Sequence, residues 1–240
     1  SSSTWVFNNH DRVRHTTRFG LPKKVDLRTW LLADGKSHKV DMELGLQRAR
    51  AATLMLLALP GCTYLYQGEE LGLFEVEDLK HEDLQDPNWF RNIHRIMRKE
   101  KPSGLALVHT DKGRDGCRVP LPWSPVGASF GFSKSGKSHL PQPKWFKDFA
   151  VEMQKGIKGT TLEMYKDALK LRKILQTEEE LKWIPTSSAE VIHFVRPNGW
   201  NCIMNFNGKP YKMPKGEILM VSGPLKSGKI PANTTVWFRS

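Results

Sequence analysis

The run Ser3–Phe7 (STWVF) ends in Asn8-Asn9-His10-Asp11, two amides, an imidazole and a carboxylate in a row. A His–Asp pair beside a pocket can bind sugar hydroxyls, ligate a metal or move protons. The plainer reading of the same residues is a polar strand end, with Asn and Asp closing Asx-turns. A second dense cluster is GRDGCRVPLPW, Gly113–Trp123. There Arg114 and Arg118 stand four apart around Asp115 and Gly116. A guanidinium offers a planar fork of donors suited to carboxylates and vicinal hydroxyls. The plainer reading is a surface turn on Asp115-Gly116, with Arg118 in an ordinary ion pair and Trp123 in the core. No second ligand cluster accompanies His10 and Asp11 at useful spacing, so neither a metal nor a cofactor is expected.

Particular elements must position these groups. STWVF is aromatic and β-branched, the character of a short buried strand. Leu44–Leu59 reads as a helix with Leu46, Ala49, Thr53, Leu56 and Leu57 along one face, stopped by Pro60-Gly61. CTYLY, Cys62–Tyr66, reads as a second buried strand and ends in Gln67-Gly68-Glu69-Glu70. Strand, polar loop, helix, strand, polar loop is a βαβ order and implies parallel strands. From Leu71 to Lys158 little periodicity is visible, and three tryptophans argue against disorder there. Thr160–Leu175 is the next helix. Thr160 and Glu163 have the spacing of a capping box, and Leu162, Tyr165, Leu169, Leu171, Ile174 and Leu175 supply the apolar side. From about Leu181, EVIHFVR and WNCIMNF flank Pro197-Asn198-Gly199, a hairpin signal, and GEILMVS and TTVWFR add two strands.

The composition bounds the function. The 240 residues carry 37 Lys+Arg against 25 Asp+Glu, a net charge of +12. Such an excess suits an anionic partner. The basic residues are scattered, however: Lys23 and Lys24, then Arg98, Lys99 and Lys101, then Lys134, Lys137, Lys144 and Lys147. A solvated lysine surface explains this better than nucleic-acid binding. The apolar stretch AATLMLLALPG is too short to span a bilayer. Three separated cysteines without a C-x-x-C motif favour a reducing compartment, and a cytoplasmic location is expected.

In combination, WVFNNHDRVRHTTRFGLP, PGCTYLYQGEELGL, QDP (Gln85–Pro87) and GRDGCRVPLPW, followed by a helix and a terminal β-rich segment, resemble one family. It is the α-glucosidase branch of the α-amylase-type glycoside hydrolases, the group of oligo-1,6-glucosidases and maltases. The motifs occur in the family's order along nearly the whole chain. The resemblance implies the C-terminal part of a (β/α)₈ barrel, about its last two strands and helices, over residues 1–178. A small antiparallel β-sandwich follows over 179–240. It further implies that Asp11 is the third catalytic carboxylate, which holds ring hydroxyls and helps distort the sugar. His10 binds the same sugar, and Arg114 or Arg118 reaches it, with Arg114 favoured. Glu69 and Glu70 are implied to be structural.

A retaining glycosidase needs two more carboxylates, about 5 Å apart. In this family they precede the NHD segment, and ten residues precede Asp11 here. Barrel closure needs eight strands, and two are visible. The expectation is therefore the C-terminal part of an α-glucosidase, inactive alone. Its expected partners are an α-glucoside oligosaccharide and a missing N-terminal catalytic segment, with neither nucleic acid nor a membrane. The competing expectations are a carbohydrate-binding remnant without catalysis and, behind it, a basic nucleic-acid-associating protein.

Overall fold

A computed structural model describes residues 3–91, 93–97 and 105–240. Arg98, Lys99 and Lys101 lie outside the described residues. Strand β1 (Thr4–Val6) pairs in parallel with β2 (Cys62–Tyr64), Thr4 opposite Cys62 and Val6 opposite Tyr64. Between them run α1 (His15–Gly20), α2 (Leu27–Leu32) and α3 (Met42–Ala58). Asp26 caps α2 by accepting from the Thr29 N–H at 2.8 Å, and Asp41 caps α3 through the Leu44 N–H at 2.9 Å. Helices α1 and α3 cross closely at Gly45, where a Cβ would lie 2.3 Å from the Thr16 carbonyl oxygen.

The βαβ reading holds, but its strands are not buried as expected. Val6 is 48% exposed and Tyr64 69%. A parallel sheet is buried when helices cover both faces. Here Trp5 packs against the core formed with α3, while Val6 and Tyr64 face away from it. Among the described residues β1 and β2 pair only with each other.

Helix α3 is buried around most of its circumference, not along one face. Leu54, Leu57 and Ala58 pack with α5 (Thr161–Leu175) and with an antiparallel sheet. That sheet has the order β5-β6-β7-β11-β9, from β5 (Lys182–Trp183), β6 (Val191–Val195), β7 (Trp200–Asn205), β9 (Glu217–Val221) and β11 (Thr234–Arg239). The β6–β7 hairpin forms where Pro197-Asn198-Gly199 signals it, and Asn198 adopts a φ of 65°. Period two sorts the side chains: Trp200, Cys202 and Trp237 face α3, while Ile203, Val236 and Phe238 face away. The far face is covered by the ribbon of β8 (Tyr211–Lys212) and β10 (Lys229–Ile230), a second layer of only two strands. Trp237 and Trp200 donate their indole N–H groups to the carbonyls of Leu54 and Leu175, at 3.0 and 3.1 Å. The sheet is thereby hydrogen-bonded to both helices that cover it.

Helix α5 departs from the sequence reading at two points. Its buried residues are Thr161, Met164, Tyr165, Ala168 and Leu175, while Ile174 is 76% exposed. The stripe is shifted because the small Ala168, not Leu169, meets α3. The capping box does not form. Thr160 Oγ1 donates backwards to the carbonyls of Gln154 and Ile157, and Glu163 accepts from the Gly156 N–H and Lys166. The helix start is satisfied by Gln154, whose Oε1 accepts from the Leu162 N–H at 3.1 Å.

The segment that reads as irregular, 71–158, contains α4 (Pro87–Arg91), an antiparallel pair of strands, β3 (Ile93–Met97) and β4 (Leu105–His109), and several 3₁₀ turns. Its own core includes Leu71, Leu73, Leu140 and Phe146.

Candidate functional site

The polar residues after β1 divide into buried anchors and exposed ends. Asn8 is buried. Its Oδ1 accepts from the His15 N–H at 2.7 Å, and its Nδ2 donates to Glu69 Oε2 at 2.6 Å. The same amide lies 2.5 Å from His15 Nδ1, so the neutral imidazole carries its proton on Nε2, on the side of Thr53. Burial, reinforced by the charges of Arg18 and Arg14, lowers the His15 pKa to about 3. Burial raises Glu69 to about 7, only partly offset by the Asn8 hydrogen bond. Asn9 does close an Asx-turn, accepting from the Asp11 N–H at 2.9 Å. The plainer reading is thus true of Asn9. Its turn sends His10 and Asp11 outward, where both are exposed.

Arg14 ties the second polar edge to the first. Its guanidinium donates to the carbonyls of Gln67 and Cys117 at 2.9 and 2.8 Å, and its backbone N–H donates to Glu75 Oε2 at 2.9 Å. Three chain segments far apart in sequence therefore meet behind Asp11. Glu75 is fully buried, which raises its pKa to about 7 despite the Arg14 N–H. The Gly68 N–H donates to Glu70 at 2.7 Å. Glu69 and Glu70 thus hold the loop after β2.

The segment Gly113–Trp123 brings both arginines to Asp11. Arg114 Nη1 donates to Asp11 Oδ1 at 2.6 Å, and Arg118 Nη2 donates to the same oxygen at 3.1 Å. Arg118 Nε also donates to the His10 carbonyl at 2.9 Å. His10 Nε2 lies 3.5 Å from Asp11 Oδ1. Desolvation would raise the Asp11 pKa, but the Arg114 hydrogen bond and the charges of His10, Arg114 and Arg118 hold it below the ordinary carboxylate value. All four sequence-predicted residues therefore stand together.

Asp86 carries no role in the sequence reading, although QDP marks its position. It is buried, and it grips Arg114 through Nε at 2.5 Å, Nη2 at 3.1 Å and the backbone N–H at 2.9 Å. Arg118 Nη1 lies 3.7 Å from the same carboxylate. Desolvation opposes ionisation of Asp86, yet these donors and the Asn88 N–H bring its pKa down to about 2. Asp115 is no surface turn. It is buried, and its Oδ2 accepts from the Gln85 and Asp86 N–H groups at 2.7 and 2.8 Å. Gly116 is needed beside it, since a Cβ would lie 2.5 Å from Glu75 Oε1 and from the Val76 carbonyl. Trp123 is half exposed instead of lying in the core.

Asp11 and Arg114 line a cleft of ≈ 650 Å³ to which Val25–Arg28 and Leu31 also contribute a wall. The sequence reading missed that wall, because Pro22–Asp26 shows no periodicity. Other carboxylates at the cleft are committed. Asp26 caps α2, Asp111 accepts from the Gly113 N–H at 2.8 Å, and Glu75 faces inward to Arg14. Asp11 is the exposed carboxylate with two arginines on it. A carboxylate fixed by two cations, beside an imidazole, suits hydrogen bonding to neutral vicinal hydroxyls. Among the described residues no cluster of three or more His, Cys, Asp or Glu could hold a metal.

Comparison with known proteins gives a consistent picture. The family described as "Alpha amylase, catalytic domain" matches residues 1–180. A probable α-glucosidase of Rhizobium meliloti is 31% identical over 204 residues, covering 81% of this chain and 29% of that protein. The oligo-1,6-glucosidase IMA5 of Saccharomyces cerevisiae is 28% identical over 183 residues, 71% of this chain and 27% of its own. The crystal structure of an α-glucosyl transfer enzyme superimposes over 99% of this chain and 40% of its own, with a TM-score of 0.66 and 26% identity. The chain thus spans under a third of the length of these two curated relatives.

Proposed function

The chain belongs to the α-amylase catalytic-domain family of glycoside hydrolases, and on that premise we propose that it is the glucosyl-holding part of a retaining α-glucosidase acting on terminal α-glucosidic bonds of oligosaccharides. The observation that carries the reading is the Asp11 carboxylate, held by Arg114 and Arg118 at the wall of the cleft. Asp11 accepts hydrogen bonds from two neighbouring sugar hydroxyls, and His10 donates to the same ring. As positive charge develops on the ring in the oxocarbenium-like transition state, an ionised Asp11 stabilises it electrostatically. Arg114 and Arg118 keep Asp11 ionised and fix its rotamer, and Asp86 in turn fixes Arg114.

In this proposal the nucleophile and the general acid are not among the 240 residues. The carboxylates at the cleft other than Asp11 are bound to backbone N–H groups and serve the fold. The proposed division is a partial (β/α)₈ barrel over 1–178 and a β-domain over 179–240. The proposed partners are the oligosaccharide and the sequence that carries the two further carboxylates. A cytoplasmic location completes the proposal; among the described residues no helix is long and apolar enough to cross a membrane.

The purified 240-residue chain is incubated with p-nitrophenyl α-glucoside. No release of p-nitrophenol above the blank is expected. Turnover that disappears in Asp11→Asn would show that the chain holds a complete catalytic set, and would overturn the division of labour proposed here.

A further inference from the structure

A second cleft, of ≈ 450 Å³, opens between α1, α3 and the end of β7. It shares no lining residue with the cleft at Asp11. One side is apolar: Phe19, Leu21 and Ala52 from the helical side, Met204 and Phe206 from the sheet. The rest is polar and mainly basic, with Arg18, Lys23 and Arg48 beside the amide of Asn233 and a single acid, Glu190.

The two arginines are held in place by neutral groups. Arg18 Nη2 donates to the Phe7 carbonyl at 2.5 Å. Arg48 donates to the Phe19 carbonyl at 2.9 Å and to Asn233 Oδ1 at 3.3 Å. Glu190 is the single acid on the cleft and the buried Glu75 acts on Arg18 from behind, so three cations face one acid and the cleft keeps an excess of positive charge. A concave wall of two phenyl rings and aliphatic groups, with convergent cations beside it, has the build of a small-molecule pocket.

We propose that this cleft binds a small organic anion, a carboxylate or phosphate borne on an aromatic or short aliphatic body. The anionic group meets Arg18, Arg48 and Lys23, and the body lies against Phe19 and Phe206. The inference is independent of what the cleft at Asp11 does.

The test is calorimetric titration of the intact chain with phenyl phosphate and with benzoate, which separate phosphate from carboxylate. Benzyl alcohol and inorganic phosphate are the controls that lack one half of the ligand. Saturable binding of at least one aromatic anion is expected, with Kd on the order of 1 mM or tighter. Both controls should bind at least about tenfold more weakly. Lys23→Gln and Phe206→Ala, both at exposed positions, should each weaken the aromatic anion about threefold or more. Lys155→Gln, away from the cleft, should leave it unchanged. Absence of saturable binding overturns the proposal. So does benzyl alcohol or inorganic phosphate binding as well as the aromatic anion, or binding that neither cleft variant alters.

Discussion

Asp86 lies buried behind Arg114 and holds it by three hydrogen bonds, while the free arm of Arg114 reaches Asp11 Oδ1 at 2.6 Å. The exposed carboxylate is thus positioned from beneath by a second carboxylate it does not touch. Arginine suits this relay because its fork binds two anions at once in fixed geometry.

Replacing Asp86 by Asn should therefore act at two levels. It leaves the buried side of Arg114 without its counter-charge, and a loss of about 3 kcal/mol of stability is expected. It also frees Arg114 from its fixed rotamer. Thermal unfolding reads the first effect. The carboxyl ¹³C titration of Asp11 reads the second, and its pKa should move up towards the ordinary value.

Asp11→Asn should behave differently. Asp11 is exposed and its partners are partly solvated, so the denaturation midpoint should stay close to that of the parent chain. Sugar affinity should fall about tenfold or more. A denaturant curve beside a maltose titration checks the dissociation of the two effects.

Glu69 and His15 give opposite pH dependences of stability. Burial raises Glu69 to about 7 in the fold. Below the unfolded carboxylate value the group is neutral in both states. Between about 4.5 and 7 the folded chain holds more protons than the unfolded one, so stability falls as pH rises through this window. His15 has a folded pKa of about 3. Its unfolded ring protonates below about 6.5, so stability falls as pH drops from there towards 3. Glu69→Gln should consequently gain on the parent chain between pH 5 and pH 8, by about 1–3 kcal/mol. Equilibrium unfolding at both pH values measures it.

At the start of α5, Gln154→Ala should cost about 1–3 kcal/mol. It removes the acceptor of the Leu162 N–H and the donor to the carbonyls of Leu71 and Phe149. Glu163→Ala, which would be the costlier change if a capping box formed, should shift the urea midpoint less than Gln154→Ala does, because Glu163 makes only exposed contacts to the Gly156 N–H and Lys166. Urea midpoints of the two variants decide between the readings.

What the sequence made legible was set by local physics. The hairpin over Pro197–Gly199 and the long apolar α3 follow from turn chemistry and hydrophobicity within a few residues. His10, Asp11, Arg114 and Arg118 could be named because motif order stood in for contacts about 100 residues apart. Asp86 and the Asn8–His15–Glu69 network were illegible for the opposite reason. Each is a common polar residue whose role appears only when distant segments close around it. Exposure of Val6 and Tyr64 and the misplaced cap of α5 have the same origin. Periodicity reports which side chains are apolar, and packing partners decide which of them are covered.

The most direct measurement is an NMR titration of the isotopically labelled chain with maltose, run on the parent and on Asp11→Asn. The account predicts saturable shifts of the His10 ring and the Arg114 and Arg118 side chains in the parent, with loss of saturation in the variant. Maltose that leaves these resonances unmoved at high concentration, or moves them equally in both proteins, would contradict it.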